Sequence, residues 1–220
     1  MKEHPIIFSG KMVQAILKGR KVQTRRVMKP QPWLCDKFIV PMWVWRKKDG
    51  PFDSLEALCR ECPYGGPGDL LWVQETWGYV EGQPEIYYRA DTEQMIGQQW
   101  GGFLVERWRP SIHMRRRDSR ITLEVVSVRV ERVQDISTRD CVAEGVSRMS
   151  DPTPEYPQGA KIRQVSLRRI FSELWDSINA KRTIIHEWED DDGIIHCDKV
   201  PGGYSWQSNP WVWVVEFRQT

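Results

Sequence analysis

The chain has 220 residues, with 32 lysines and arginines against 30 aspartates and glutamates. That length supports a buried core without covalent staples, and the near balance of charge argues against a general polyanion binder. Mean hydropathy is negative and no apolar run reaches membrane-spanning length, so the expectation is a cytoplasmic protein with no membrane partner.

In chain order, Pro5 to Phe8 predicts a short strand. Ser9 then stands as a cap for a helix over about residues 11–19, with Met12, Val13, Ile16 and Leu17 on one face and Gly19 at the end. The next segment, Lys18-Gly19-Arg20-Lys21-Val22-Gln23-Thr24-Arg25-Arg26, packs cations around a hydroxyl. A lysine among other cations loses proton affinity and can serve as a base, and spare guanidinium groups can hold an anion such as phosphate. Cations after a helix also simply complement its dipole.

Residues 29–68 are irregular and hold Cys59-Arg60-Glu61-Cys62, a zinc-knuckle spacing with Cys35 upstream. Without a second paired motif, these cysteines read rather as small buried side chains, and no metal is expected. The chain carries five cysteines, an odd number, and no signal-peptide pattern, which fits a reducing compartment. Gly65 to Asp69 is a turn signal, followed by strands at 70–77 and 86–89. Residues 92–119 read as a polar, basic loop. Arg107, Arg109, Arg115, Arg116, Arg117 and Arg120 crowd its end, a local patch suited to a phosphorylated ligand or a short nucleic-acid contact.

The clearest strand spans 120–133. Ile121, Leu123 and Val125 alternate, then Val126, Val128 and Val130 continue on the other parity, which predicts a bulge and a bent strand of the kind small barrels use. Ser137 to Asp140 is a capping signal for a helix over 138–145. Leu167, Ile170, Phe171, Leu174, Trp175 and Ile178 give the best helical period in the chain. An acidic hairpin is expected over 183–208, turning at Asp192-Gly193, with Glu187 to Asp192 as a solvated tip. Trp211 to Phe217 predicts a buried strand. Twelve tryptophans serve either as core fillers or as base-stacking surfaces.

Four stretches resemble the ASCH domain family of the PUA-like superfamily, and in particular its larger phage- and prophage-associated members. They are Ile16 to Arg26, Pro67 to Val73, Val128 to Ile136 and Trp213 to Phe217. The resemblance implies one α+β domain over 1–220, a PUA-like small mixed β-barrel with flanking helices and insertions at about 29–66, 92–119 and 183–208. It also implies a cleft suited to a nucleoside or modified base.

One branch of that family comprises amidohydrolases that convert N4-acetylcytidine to cytidine and acetate. By resemblance, Lys21, Thr24 and Glu144 would carry that reaction without a cofactor. Thr24 would be the nucleophile, Lys21 its proton acceptor and Glu144 the activator of water and donor to the leaving amine. Arg25, Arg26, Glu75 and Trp77 would position the substrate, because a carboxylate accepts from a cytosine amine. An ion pair between Glu75 and an arginine is the structural alternative. Trp108, Ser111 and His113 lie in a stretch that also recurs in the larger members and are assigned to the substrate side. The second reading is a non-catalytic reader of RNA or of modified bases, because one scaffold hosts both roles.

Overall fold

The structure, a computed structural model, describes residues 1–35, 42–45, 51–79, 85–92, 107–146, 166–181, 184–189, 195–200 and 203–220. The first half of the chain forms β1 (Glu3–Ile7), α1 (Gly10–Leu17), β2 (Gln23–Val27), β3 (Trp33–Cys35), β4 (Met42–Val44), β5 (Pro51–Phe52), α2 (Leu55–Leu58), β6 (Leu70–Gln74), β7 (Trp77–Tyr79), β8 (Ile86–Tyr88) and α3 (Arg89–Thr92). The second half forms β9 (Thr122–Arg132), α4 (Thr138–Ala143), α5 (Leu167–Asn179), β10 (Ile184–Glu189), β11 (Ile195–Val200) and β12 (Trp211–Gln219). The fold class is α+β. The main sheet is mixed, in the order β1-β6-β9-β12-β2, and among the described residues that order is open, with β1 and β2 outermost. Smaller sheets join β3-β4-β5, β7-β8 and β10-β11. Among the described residues no helix is long and apolar enough to cross a membrane.

The chain divides into two compact units. The first comprises Met1–Val22, Pro63–Ser127 and Val215–Thr220. Its helix α1 buries Val13, Ala15 and Ile16. Ser9 occupies the cap position, but its hydroxyl makes no capping bond, so the helix start rests on burial of its apolar face. At the other end Gly19 takes φ 66°, and the backbone N–H groups of Gly19 and Arg20 donate to the carbonyls of Ile16 and Ala15, each at 2.8 Å. Strand β1 runs parallel to β6, pairing Ile6 with Val73, and β6 runs antiparallel to β9, pairing Leu71 with Leu123. All four side chains are buried, as expected of sheet positions facing a core.

The second unit comprises Gln23–Cys62 and Val128–Val214. Its core gathers Val133, Ile136, Cys141, Val146, Leu167, Phe171, Trp175, Val212 and Val214. Helix α5 buries Leu167, Phe171, Trp175 and Asn179, a stripe of every fourth residue. Leu174 and Ile178 lie outside that stripe and are about two-fifths exposed (38% and 41%), contrary to the six-residue apolar face expected from the period. Trp175 lies on the buried stripe, and its indole N–H donates to the Tyr204 carbonyl at 2.7 Å. Strand β9 is continuous; Leu123 and Val125 are buried on the odd parity and Val130 on the even one, whereas Val126, expected to open the even-parity run, is about half exposed (48%) and Val128 is only half-buried. The expected hairpin exists as β10 antiparallel to β11. Its turn at Asp192-Gly193 and the loop over 147–164 lie outside the described residues.

The turn before β6 uses positive φ at Gly65 and at Gly68, and at Gly65 a side chain would also clash. Gly65 has φ 84°, and a Cβ there would stand 2.9 Å from Asp69 Cβ and 3.0 Å from His4 Cδ2. Asp69 closes this turn by accepting from the backbone N–H groups of Gly66 at 3.1 Å and Lys2 at 2.7 Å. These two bonds hold its carboxyl below the usual aspartate range. Gly65→Ala is therefore expected to cost about 1–3 kcal/mol. Gly66→Ala, with open space around it, should change stability by less than about 0.5 kcal/mol. Urea denaturation of the two variants checks the difference.

Candidate functional site

The cationic segment after α1 continues as β2, where Gln23, Thr24 and Arg25 are all buried. Side chains alternate along a strand, so Gln23 and Arg25 share one face and Thr24 takes the other with Arg26. On the Gln23–Arg25 face lies a dense ionic cluster. The Arg25 side chain is fully buried; its Nη1 stands 3.3 Å from Glu144 Oε1 and its Nη2 3.1 Å from Glu131 Oε2 and 3.5 Å from Asp140 Oδ2. Arg129 completes the cluster. It donates to Glu131 Oε1, to Asp140 Oδ1 at 3.1 Å and to Gln23 Oε1 at 3.2 Å.

Three elements set these positions. Arg129 and Glu131 are two apart on β9 and so share a face. Asp140 is the third helical residue of α4 and serves the helix start as well. The Ser137 hydroxyl accepts from the Asp140 backbone N–H at 3.1 Å, and Asp140 Oδ2 accepts from the Ser137 backbone N–H at 3.1 Å. Burial works to raise the Asp140 pKa, but the Ser137 bonds and the two guanidinium groups outweigh it and hold it below the usual aspartate range. Glu144 is the C-cap residue of α4, followed by Gly145 at φ 84°. A carboxylate there stands at the negative end of the helix, and Arg25 offsets that placement.

Sequence reasoning reached Arg25 and Glu144 but not Gln23, Arg129, Glu131 or Asp140. The available signal was polar residues two apart in two strands, Gln23 with Arg25 and Arg129 with Glu131, where apolar side chains otherwise fill the core face.

Lys21 belongs to the first unit. It is buried, with Nζ 5.8 Å from the centre of the Phe8 ring. Glu75 and Trp77 belong to that unit too. Both Glu75 oxygens accept from Arg120, at 2.9 and 3.0 Å, and Arg120 also reaches Asp91 at 2.7 and 2.9 Å while lying 4.0 Å from the centre of the Tyr88 ring. Burial pushes the Glu75 carboxyl up and Arg120 partly restores it, while the two carboxylates keep Arg120 protonated. The ion pair weighed as the structural alternative for Glu75 is thus formed. Trp77 pairs backbone to backbone with Arg109, whose guanidinium lies 5.1 Å from the Trp77 ring centre and 5.3 Å from that of Tyr79. In the same stretch Trp108 and Ser111 are half-buried and His113 is exposed, Ser111 and His113 lying in a short 3-10 turn.

The cysteines give no metal centre among the described residues, where no group of three or more His, Cys, Asp or Glu side chains is arranged around a common point. The Cys59 thiol donates to the Leu55 carbonyl at 3.3 Å, and burial, then Glu56, push it up, which disfavours the thiolate a metal needs. Cys62 is buried. The Cys35 side chain lies outside the described residues.

Compared with protein-family models, curated proteins and solved structures, the chain matches none.

The Arg25 cluster generates a stability prediction. Arg25→Met removes the buried guanidinium that faces Glu131, Asp140 and Glu144, so it is expected to destabilise the protein by about 3 kcal/mol at neutral pH. The sign with pH follows from Asp140. Its folded pKa is lowered, so its contribution is present above the unfolded value and is lost as pH falls through the folded one. Denaturation of wild type and variant at pH 7 and pH 3 should show the gap narrowing in acid; a constant gap would mean packing, not charge, sets the effect.

Proposed function

We propose that the chain is an ASCH-type amidohydrolase that removes the acyl group from N4-acylated cytosine nucleosides, on a PUA-like scaffold. One observation carries this reading. Arg25, in the segment that resembles the family's lysine–threonine motif, pairs at 3.3 Å with Glu144, the carboxylate 119 positions downstream that the same resemblance singles out. Both lie in the second unit, and Thr24 is buried there on the same strand.

The overall reaction consumes one water. The amide C–N bond breaks, oxygen from water adds to the acyl carbon, and a proton passes to the exocyclic nitrogen, giving cytidine and acetate. On the direct route Glu144 takes the proton from water and returns it to the leaving nitrogen. On the covalent route the Thr24 hydroxyl adds first, Lys21 accepts its proton, and water then releases the acyl group. Strand alternation turns Thr24 away from the Arg25 face. The direct route therefore makes the smaller demand on the backbone.

Purified protein is expected to convert N4-acetylcytidine to cytidine and acetate, followed chromatographically. Glu144→Gln should lower kcat by at least about 100-fold, and Lys21→Met should do the same if the covalent route is followed, with folding verified by circular dichroism and thermal melting. Thr24→Val decides the route: complete loss assigns the acyl-threonine path and partial retention the direct one. Absence of turnover by the wild type, or unchanged turnover in Glu144→Gln, overturns the proposal.

A second reading draws on the exposed Arg107, Arg109, Arg115 and Arg117, which suit a non-catalytic contact with RNA. Salt-sensitive RNA binding without turnover would favour it. Part of that charge is already engaged, since Arg115 and Arg117 stand 3.1 and 3.6 Å from Asp118.

A further inference from the structure

The segment Cys59-Arg60-Glu61-Cys62 follows α2 and has no part in the reaction proposed above. Cys59 to Glu61 form one 3-10 turn, and the Cys62 backbone N–H donates to the Cys59 carbonyl at 3.2 Å. A 3-10 turn advances about 6 Å over three residues and eclipses the side chains at its two ends. A disulfide requires a Cα separation of about 4.4–6.8 Å. The backbone of this turn therefore already meets the spacing that a bond between Cys59 and Cys62 needs. The turn is held without such a bond. Ser54 Oγ accepts from the Ala57 backbone N–H at 3.1 Å to start α2, and Leu58, at its end, is fully buried.

The two cysteines, both thiols here, differ in access. Cys59 is half-buried and Cys62 is 7% exposed. A reagent in solution thus meets Cys59 first, and Cys62 lies one turn away behind it. The Cys59 thiol donates to the Leu55 carbonyl at 3.3 Å, a neutral bond that the sulfur gives up when it turns toward residue 62. Burial, then Glu56, favour the protonated thiol, while a backbone hydrogen bond from Val130 works the other way. Only the thiolate attacks a disulfide, so the chemistry at Cys59 is slow at neutral pH and quickens in alkali. Val130 stands between Arg129 and Glu131 on β9, which places Cys59 against the strand that supplies two members of the Arg25 cluster.

We propose that Cys59 and Cys62 form a redox modification site, a dithiol that a low-molecular-weight disulfide converts to an intramolecular Cys59–Cys62 bond. The Cys59 thiolate attacks one sulfur of the reagent, forming a mixed disulfide and expelling one thiolate. The Cys62 thiolate then attacks Cys59 Sγ, forming the Cys59–Cys62 bond and expelling the second. Two electrons pass from the cysteine pair to the reagent, and the two protons that the cysteines lose end on its two thiols.

The test uses the folded protein with oxidised glutathione, followed by alkylation of the remaining thiols, tryptic digestion and mass spectrometry. Trypsin cuts after Arg60, so the expected bond joins peptides 49–60 and 61–89, and reduction separates them. Cys141, which is fully buried, should stay unmodified. Cys62→Ser should hold glutathione on Cys59, and Cys59→Ser should leave Cys62 unmodified, with circular dichroism confirming that each variant folds. The cross-linking rate should rise about tenfold from pH 7 to pH 8, because the thiolate fraction does. Glutathione retained on both cysteines of the wild type without a cross-link overturns the proposal. So does a bond from Cys59 to any other cysteine, a metal ion held by the two thiols in the purified protein, or a rate that does not change with pH. Failure of the folded wild type to react, when the urea-unfolded chain does, overturns it as well.

Discussion

A single buried guanidinium organises the second unit. Arg25 has a side chain with no exposure to solvent, and three carboxylates from β9, α4 and the end of α4 stand within 3.5 Å of it. Removing two or more charges from water is costly, and the mutual attraction of such groups repays the cost only when the geometry satisfies nearly every donor and acceptor. A cluster of this kind is a poor source of stability compared with apolar packing of the same volume. What it supplies is position. Each partner can occupy its place only while the others occupy theirs, so β2, β9 and α4 are held in one register by charge as well as by the Val133–Ile136–Trp175 core.

Much of the fold was legible because its signals are local. The helical stretch of α5, the capping residues Ser137 and Asp140 and the glycine that ends α1 all act over a few residues, and each appears in the structure where the pattern put it. The parallel pairing of β1 with β6 was not legible, since Ile6 and Val73 are 67 positions apart and no local rule couples them. The same limit explains the candidate site. Arg25 stood out in a cationic segment, but Glu144 was reached only through the resemblance to a family. Glu131 and Arg129, two ordinary charges in a strand, carried no signal of their own until the strand's face was known. Leu174 and Ile178 show the converse: apolar spacing marks which side chains could face a core, and the bulk already present decides which of them do.

The two ionic networks of the molecule use arginine in opposite ways. Arg120 meets Glu75 through two bonds and Asp91 through two more, with the Tyr88 ring beneath it. That network uses every nitrogen of the guanidinium, which is the signature of a structural clamp. Arg25 differs in one atom. Its Nη atoms are engaged and, among the described residues, its Nε is not, and the neighbouring Gln23 has its amide oxygen engaged and its amide nitrogen unmatched by any described group. In a structural network the cheaper arrangement would rotate or replace such a group until every donor was used.

Asp140 ties this arrangement to the helix that carries Glu144. One of its oxygens serves the Ser137 capping box and stands near Arg25, and the other accepts from Arg129. The carboxylate that starts α4 is therefore the one that ties the helix to the arginine pair, and its lowered pKa keeps it charged through the neutral range. Helix α4 is only six residues long and could not hold its own position by hydrogen bonding alone. Anchored at its first turn through Asp140 and at its last residue through Glu144, it is fixed at both ends by the same cluster. The placement of Glu144 is thus a consequence of charge pairing at both helix ends rather than of the helix itself, and any chemistry at Glu144 inherits its geometry from Arg25.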